Sequence, residues 1–210
     1  MNNVENYGWE QASGPHSCSY LTPVILKLLN DLNVKRVLDL GAGNGSLCGA
    51  LSVAGFEVVG VEYDKKGVEI AAKTYPQIRF YNAGVQDDPK KVLNEEKPFQ
   101  AIVSTEVIEH LYSPHLLPQF AREVLDDGYL IISTPYHGYL KNLILSIFDY
   151  WDSHHTALWH GGHIKFWSRK TLTKLLSNNG FNVIKFVGVG RAPYIWKSMI
   201  VIAKPTPPQP

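Results

Sequence analysis

The run Val37-Leu-Asp-Leu-Gly41-Ala-Gly43-Asn-Gly45-Ser46 constrains this chain more than any other stretch. A short apolar segment entering three alternating glycines, followed by a helical pattern, reads as a buried strand, a tight turn and the start of a helix. Glycines let the backbone pass close to a ligand, and a helix N-terminus behind them turns amide N–H groups toward a polar or anionic group. Asp39 stands two residues before Gly41, at the strand end, and suits an ammonium group better than a phosphate. The spacing is Gly-x-Gly-x-Gly, whereas a dinucleotide fingerprint requires Gly-x-Gly-x-x-Gly. Glu62 closes the next strand, Glu57 to Glu62, where a carboxylate can accept hydrogen bonds from both hydroxyls of a ribose. The pairing of glycine turn and acidic strand end points to a ligand containing adenosine.

The rest of the chain repeats this alternation. Thr22-Pro23 is expected to open an amphipathic helix running to about Asn33, with proline at its first position. A helix from Gly45 to Ala54 should end at Gly55, and Asp64 should cap another from Lys65 to Tyr75. Further strands are expected at 78–82, 99–104 and 129–133, with a helix starting near Ser113-Pro114 and Gly128 breaking the chain before the fifth strand. From 135 to 167 the alternation lapses into an insertion rich in aromatic residues and histidine, with a helix around 141–148. Ser168 should cap a helix over 170–178. Strands at 181–189 and 195–203 have no helix between them and should be antiparallel. These elements predict an α/β fold: a Rossmann-like three-layer sandwich on a mostly parallel sheet. Residues 1–204 read as one domain, with 1–21 as an N-terminal cover and 205–210 as a flexible tail.

Composition narrows the function classes. Lys plus Arg number 20 and Asp plus Glu 19, a net charge of +1, so no charge excess calls for a nucleic-acid partner. Hydrophobic residues make up 45% and charged ones 19%, a balance that can bury a full core. Two cysteines, Cys18 and Cys48, make neither a disulfide framework nor a zinc spacing. No segment approaches the roughly 18 apolar residues of a membrane span. The start Met1-Asn2-Asn3-Val4-Glu5-Asn6 is unlike a secretory signal, so a cytoplasmic protein without a stable membrane anchor is expected.

Three stretches together resemble the class I S-adenosylmethionine-dependent methyltransferases: Val37 to Gly45, Val58-Val-Gly-Val-Glu62-Tyr-Asp64, and Phe99 to Leu111 with its Glu106-Val-Ile-Glu109-His110. The last is similar to the branch containing the ubiquinone-biosynthesis O-methyltransferases. The resemblance implies a seven-stranded sheet with an antiparallel final strand. It also implies that Asp39, Gly41, Ala42, Gly43 and Gly45 surround the methionine part of S-adenosylmethionine and that Glu62 holds its ribose. Tyr63 would lie against the adenine, with Val85, Gln86 and Asp87 the candidates after the third strand to read its amine, and Glu106 would border the place where donor and acceptor meet. S-adenosylhomocysteine would be the product.

Glu106, Glu109 and His110 would share one face if their turn is helical, so a divalent metal is conceivable there, but capping and packing are the favoured account and no metal site is assigned. The insertion supplies the acceptor side, with His137, His154, His155, His160 and His163 among Tyr136, Tyr139, Trp151, Trp159, Phe166 and Trp167. A neutral histidine can take the proton of a hydroxyl acceptor. His163 is the catalytic choice, since Gly161-Gly-His163-Ile-Lys-Phe166 matches a His followed by Lys-Phe in the related quinone enzymes. A zinc site from His154, His155, His160 and His163 is disfavoured by its spacing. Leu143, Ile144, Ile147, Phe148 and Trp151 form one helical face expected to pack on the core, and Lys141 falls on the polar face. The resemblance further implies that Tyr7, Trp9 and His16, ahead of the first helix, fold over the cofactor. The reading is a methyltransferase acting on a small acceptor, aromatic or quinol-like, at oxygen. A nicotinamide-dependent oxidoreductase and a non-catalytic cofactor-binding module are the alternatives.

Overall fold

The strand β1 (Arg36–Leu40) is buried along its whole length, as a strand covered on both faces must be. It pairs in parallel with β2 (Glu57–Glu62) on one side and β4 (Phe99–Thr105) on the other. β3 (Arg79–Asn82) extends the sheet beyond β2, and β5 (Leu125–Pro135), β7 (Ser198–Pro205) and β6 (Phe181–Val189) extend it beyond β4. The order is β3-β2-β1-β4-β5-β7-β6, and β7 runs antiparallel to both its neighbours. The expected seven-stranded α/β architecture with its reversed final strand is what the chain adopts. This computed structural model describes residues 8–11, 13–155, 158–159 and 161–207.

Helices cover both faces. On one, α1 (Cys18–Asp31) brings Leu21, Ile25, Leu28 and Leu29 against Val37, and α2 (Ser46–Val53) adds Leu47, Cys48 and Leu51. On the other, α5 (Leu116–Val124) and α8 (Arg169–Asn178) bury Leu117, Phe120, Leu172 and Leu176 around Leu38, Leu40 and Ile102. α3 (Lys65–Thr74) starts where expected, with the Asp64 side chain accepting from Lys66 N–H. Ser168 caps α8 and forms a reciprocal box with Thr171. A short α4 (Pro89–Val92), capped by Asp88, was not legible as a helix.

Several boundaries differ for physical reasons. α1 begins a turn earlier than Thr22, because Tyr20 and Leu21 N–H groups bond to Ser17 O, and Pro23 lies inside it. Gly128 does not break the chain: β5 continues through it, beside a bulge between Phe99 and Ala101, and a Cβ there would sit 2.1 Å from Gln100 O. Glycine is required by close backbone approach at that bulge. The insertion holds two helices, α6 (Tyr139–Ile147) and α7 (Trp151–His155). β7 starts at Ser198 and runs to Pro205, and Thr206 N–H still bonds to Gly180 O, so the sheet reaches into the segment expected to be a free tail.

Candidate functional site

The strand order reverses between β1 and β4, and in open α/β sheets ligands bind at the C-terminal ends of the strands at such a point. Gly41, Gly43 and Gly45 follow the end of β1 there, at φ of 90°, 56° and 78°. Their crowding is severe: a Cβ on Gly41 would lie 2.3 Å from the Val107 side chain, and one on Gly45 would lie 2.8 Å from Ala71 Cβ. The amides, however, do not face a ligand as the sequence suggested. Gly41 and Ala42 N–H both donate to Val61 O, Gly45 N–H to Ala42 O, and Gly43 N–H to Glu62 Oε2 at 2.7 Å. The turn therefore contributes a surface for close approach rather than a nest for a phosphate, which weighs against a pyrophosphate ligand.

Glu62 ends β2, its second oxygen accepting from Asp64 N–H at 2.8 Å. Each carboxylate oxygen has a further lone pair, so both can still receive ligand hydroxyls. Burial raises its pKa, while the backbone bonds from Asp64 and Gly43 oppose the rise. Asn82, which sequence reasoning missed, ties the end of β3 to β2 by donating to the carbonyls of Glu62 and Tyr63. Tyr63 is 46% exposed beside Glu62, and Val85 packs partly on the core under β3. Asp39 lies deeper than expected. It is 1% exposed, one oxygen accepts from Cys48 Sγ at 3.2 Å, and Oδ1 has no partner. Burial pushes its pKa up to about 7, with the hydrogen bond from Cys48 opposing.

The segment after β4 separates residues that the sequence grouped. Glu106 has φ of 54°, a left-handed position uncommon for a side chain of this kind, and a single 3-10 turn forms only later, at Ile108–His110. Glu106 turns to Ser133 Oγ at 2.8 Å and Ser198 Oγ at 3.2 Å, and Ser198 Oγ also meets Tyr20 Oη. Burial pushes Glu106 up to about pKa 7. Glu109 instead accepts from Thr134 Oγ1, and its Oε1 is buried without a hydrogen bond, 4.0 Å from Nε2 of both His110 and His163. Glu109 O receives both Ile164 and Lys165 N–H groups, which pins the insertion to the turn and brings His163 into place. Among the described residues, Glu109, His110 and His163 are the group able to hold a cation, their ligand atoms within 4.8 Å of one another. Glu106 is not part of it. Burial is the main cause that lowers the pKa of His163 and takes His110 down to about 4.

The insertion also inverts an expectation. Leu143, Ile147, Phe148 and Trp151 are exposed, and α6 buries Lys141 and Leu145 instead. His137, buried, stacks on His155 at 5.6 Å and meets Phe166 edge-on at 5.1 Å. Burial, then the Lys141 charge, takes His137 down to about 3 and His154 to about 4. His160 and Tyr7 lie outside the described residues. Ahead of α1, Asn44 Nδ2 donates to Gln11 O and Ser13 O, and the Trp9 ring lies where a Cβ on Gly43 would be, 2.5 Å away. His16 instead meets Tyr20, at a ring separation of 6.0 Å.

The family profile described as "Methyltransferase domain" matches residues 14–185. A ubiquinone biosynthesis O-methyltransferase of Glaesserella parasuis serovar 5 (strain SH0165) is 29% identical over 136 residues, 60% of this chain and 58% of that protein. Its counterpart in Bradyrhizobium diazoefficiens is 27% identical over 175 residues, 80% of this chain and 67% of that protein. The alignments thus span little more than half to two thirds of those relatives. The crystal structure of magnesium protoporphyrin IX methyltransferase from Synechocystis PCC 6803 with bound S-adenosylhomocysteine shares the fold at a TM-score of 0.66 and 19% identity, covering 89% of this chain and 82% of that one.

Proposed function

Since this chain belongs to the class I S-adenosylmethionine-dependent methyltransferases, we propose that it transfers the methyl group of S-adenosylmethionine to an oxygen of a small acceptor, aromatic or quinol-like. The observation that supports this reading is the strand-order reversal between β1 and β4, with the Gly41–Gly45 turn, Glu62 and Glu106 at the C-terminal ends of β1, β2 and β4. The residues fit the donor. Glu62 keeps acceptor capacity for ribose hydroxyls, and the orphaned buried oxygen of Asp39 lies under the turn that would receive the donor's ammonium. Tyr63 and Val85 would flank the adenine.

When bound, S-adenosylmethionine supplies an electrophilic methyl on a sulfonium sulfur. The chain's residues position the acceptor in line with that methyl and exclude water from it. Aromatic groups of the insertion, Trp159 and Phe166 among them, wall the acceptor side. His163, neutral because burial disfavours its charged form, takes the hydroxyl proton at Nε2 as the oxygen attacks.

Thermal unfolding with S-adenosylmethionine, S-adenosylhomocysteine or NAD tests the donor. At about 100 times the dissociation constant, native-state binding adds about 2.7 kcal/mol, a rise of roughly 5–10 °C for this size. A shift with NAD alone would replace this reading by an oxidoreductase. Once a phenolic acceptor is turned over, His163→Ala should lower kcat by about 10²–10⁴-fold with donor affinity unchanged. Unchanged kcat would remove His163 as the base.

A further inference from the structure

Lys141 is 4% exposed, yet its ammonium makes a single hydrogen bond among the described residues, 3.4 Å to Lys197 O. An ammonium has three donors, and burying one with donors unused is unfavourable unless something else receives them. Its position in α6 is equally telling. Gly138 precedes the helix without a side-chain cap, so Lys141 stands in the first turn, at the end of the helix that carries partial positive charge. The N–H groups of Tyr139, Leu140 and Lys141 have no acceptor among the described residues. A lysine there does nothing for the helix. The ammonium and the uncapped amides belong to one turn of α6, and both favour a negative charge.

The surroundings agree. Lys141 Nζ sits against the carbonyl that precedes Ser198, and Ser198 Oγ donates to Glu106 Oε2, so the ammonium and the candidate transfer site share the ends of β5 and β7. Glu106 and Lys141 are near enough to feel each other's charge, but they form no ion pair within 4.0 Å among the described residues. His137, His154, His155 and His163, the histidines of the insertion, all feel the Lys141 charge. Burial, and then the guanidinium of exposed Arg191, pull the Lys141 pKa to about 8, so it is still mostly charged at neutral pH.

We propose that Lys141 and the uncapped first turn of α6 form the seat for an anionic group, a carboxylate or a phosphate, carried by the methyl acceptor. The proposal rests on the methyltransferase reading of the site and narrows its acceptors to acids. It separates the two ends of the acceptor: the anion anchors at α6, and the methylated atom lies toward Glu106 and His163.

Calorimetric titration of the full chain, free and saturated with S-adenosylhomocysteine, with benzoate, phenyl phosphate and neutral benzamide tests it. The seat predicts that benzoate or phenyl phosphate binds at least tenfold tighter than benzamide, the stronger of the two anions identifying the group. Lys141→Met should erase that preference and Lys141→Arg should keep it, with S-adenosylhomocysteine affinity unchanged in both. Equal binding of all three probes to the wild type, or an anion preference that survives in Lys141→Met, overturns the proposal. The wild-type comparison stands even if Lys141→Met fails to fold. Absence of S-adenosylhomocysteine binding to the wild type would instead count against the methyltransferase reading, while the titration of the free chain still decides the anion seat.

Discussion

Replacing Gly45 and Gly55 by alanine, one at a time, separates two reasons for a glycine. Both have positive φ, 78° and 90°, so each alanine carries the left-handed penalty of about 1–2 kcal/mol. Around Gly55 nothing lies within 4 Å of the added Cβ. Around Gly45 that atom would stand 2.8 Å from Ala71 Cβ, 3.0 Å from Phe80 Cζ and 3.2 Å from Tyr75 Cδ2, and α3 would have to shift to admit it. Overpacking of this kind costs about 1–3 kcal/mol more. Gly55→Ala should therefore lose about 1–2 kcal/mol and Gly45→Ala about 2–5 kcal/mol in total. At roughly 2–4 °C per kcal/mol for a domain of this size, Gly45→Ala should melt several degrees below Gly55→Ala in differential scanning calorimetry. Repeating the scans with S-adenosylhomocysteine adds the functional half: the ligand-induced rise should persist in Gly55→Ala and shrink in Gly45→Ala. Equal losses in the two variants would refute the reasoning, since the close approach of the turn to α3 would then carry no weight.

Glu62→Ala removes the acceptor of Gly43 and Asp64 N–H and should weaken donor binding by tenfold or more, about 1.5–3 kcal/mol for a charged hydrogen bond; isothermal titration with unchanged affinity would release Glu62 from the site. Asp39 has a native pKa of about 7 against an ordinary 3.8, so the folded state holds its proton more tightly. Stability from this group is present below about pH 4 and lost as pH rises to about 7, roughly 4 kcal/mol in all. Asp39→Asn should gain on the wild type across that window in urea titrations, and a difference independent of pH would contradict the burial argument. At the opposite edge of the sheet, Glu96 joins Arg36, Arg79 and Tyr81, so Glu96→Ala should lose about 3 kcal/mol by stranding the buried Arg36; a melting point within a degree of wild type would show that Glu57 alone suffices. Exhaustive chelation should leave S-adenosylhomocysteine affinity unchanged, because the bonds that hold the glycine turn run to Val61, Ala42 and Glu62 rather than to Glu109 or His163; a loss would tie donor binding to a cation.

What could be read from the sequence was whatever short-range chemistry decides. The glycine turn, the Asp64 and Ser168 caps and the alternating strands each follow from a few adjacent residues, and they appear where expected. Residues whose role is settled by distant partners could not be read. Lys141 looks polar-facing because α6 has apolar side chains on more than one side, and only distant partners such as the Lys197 carbonyl, just ahead of β7, reveal that Lys141 turns inward. Glu106 and Glu109 look like helical neighbours, yet the left-handed Glu106 points them to different partners. The loop amides looked free because nothing local reveals that Val61 O receives two of them.

The grip of Asn44 on Gln11 and Ser13 joins the N-terminal segment to the glycine turn. The same turn that would receive the donor also fastens the strand of chain whose Trp9 rests on Gly43. A ligand seated on Gly43 would therefore have the Trp9 indole as its immediate neighbour, so the N-terminal segment and the turn would meet it together.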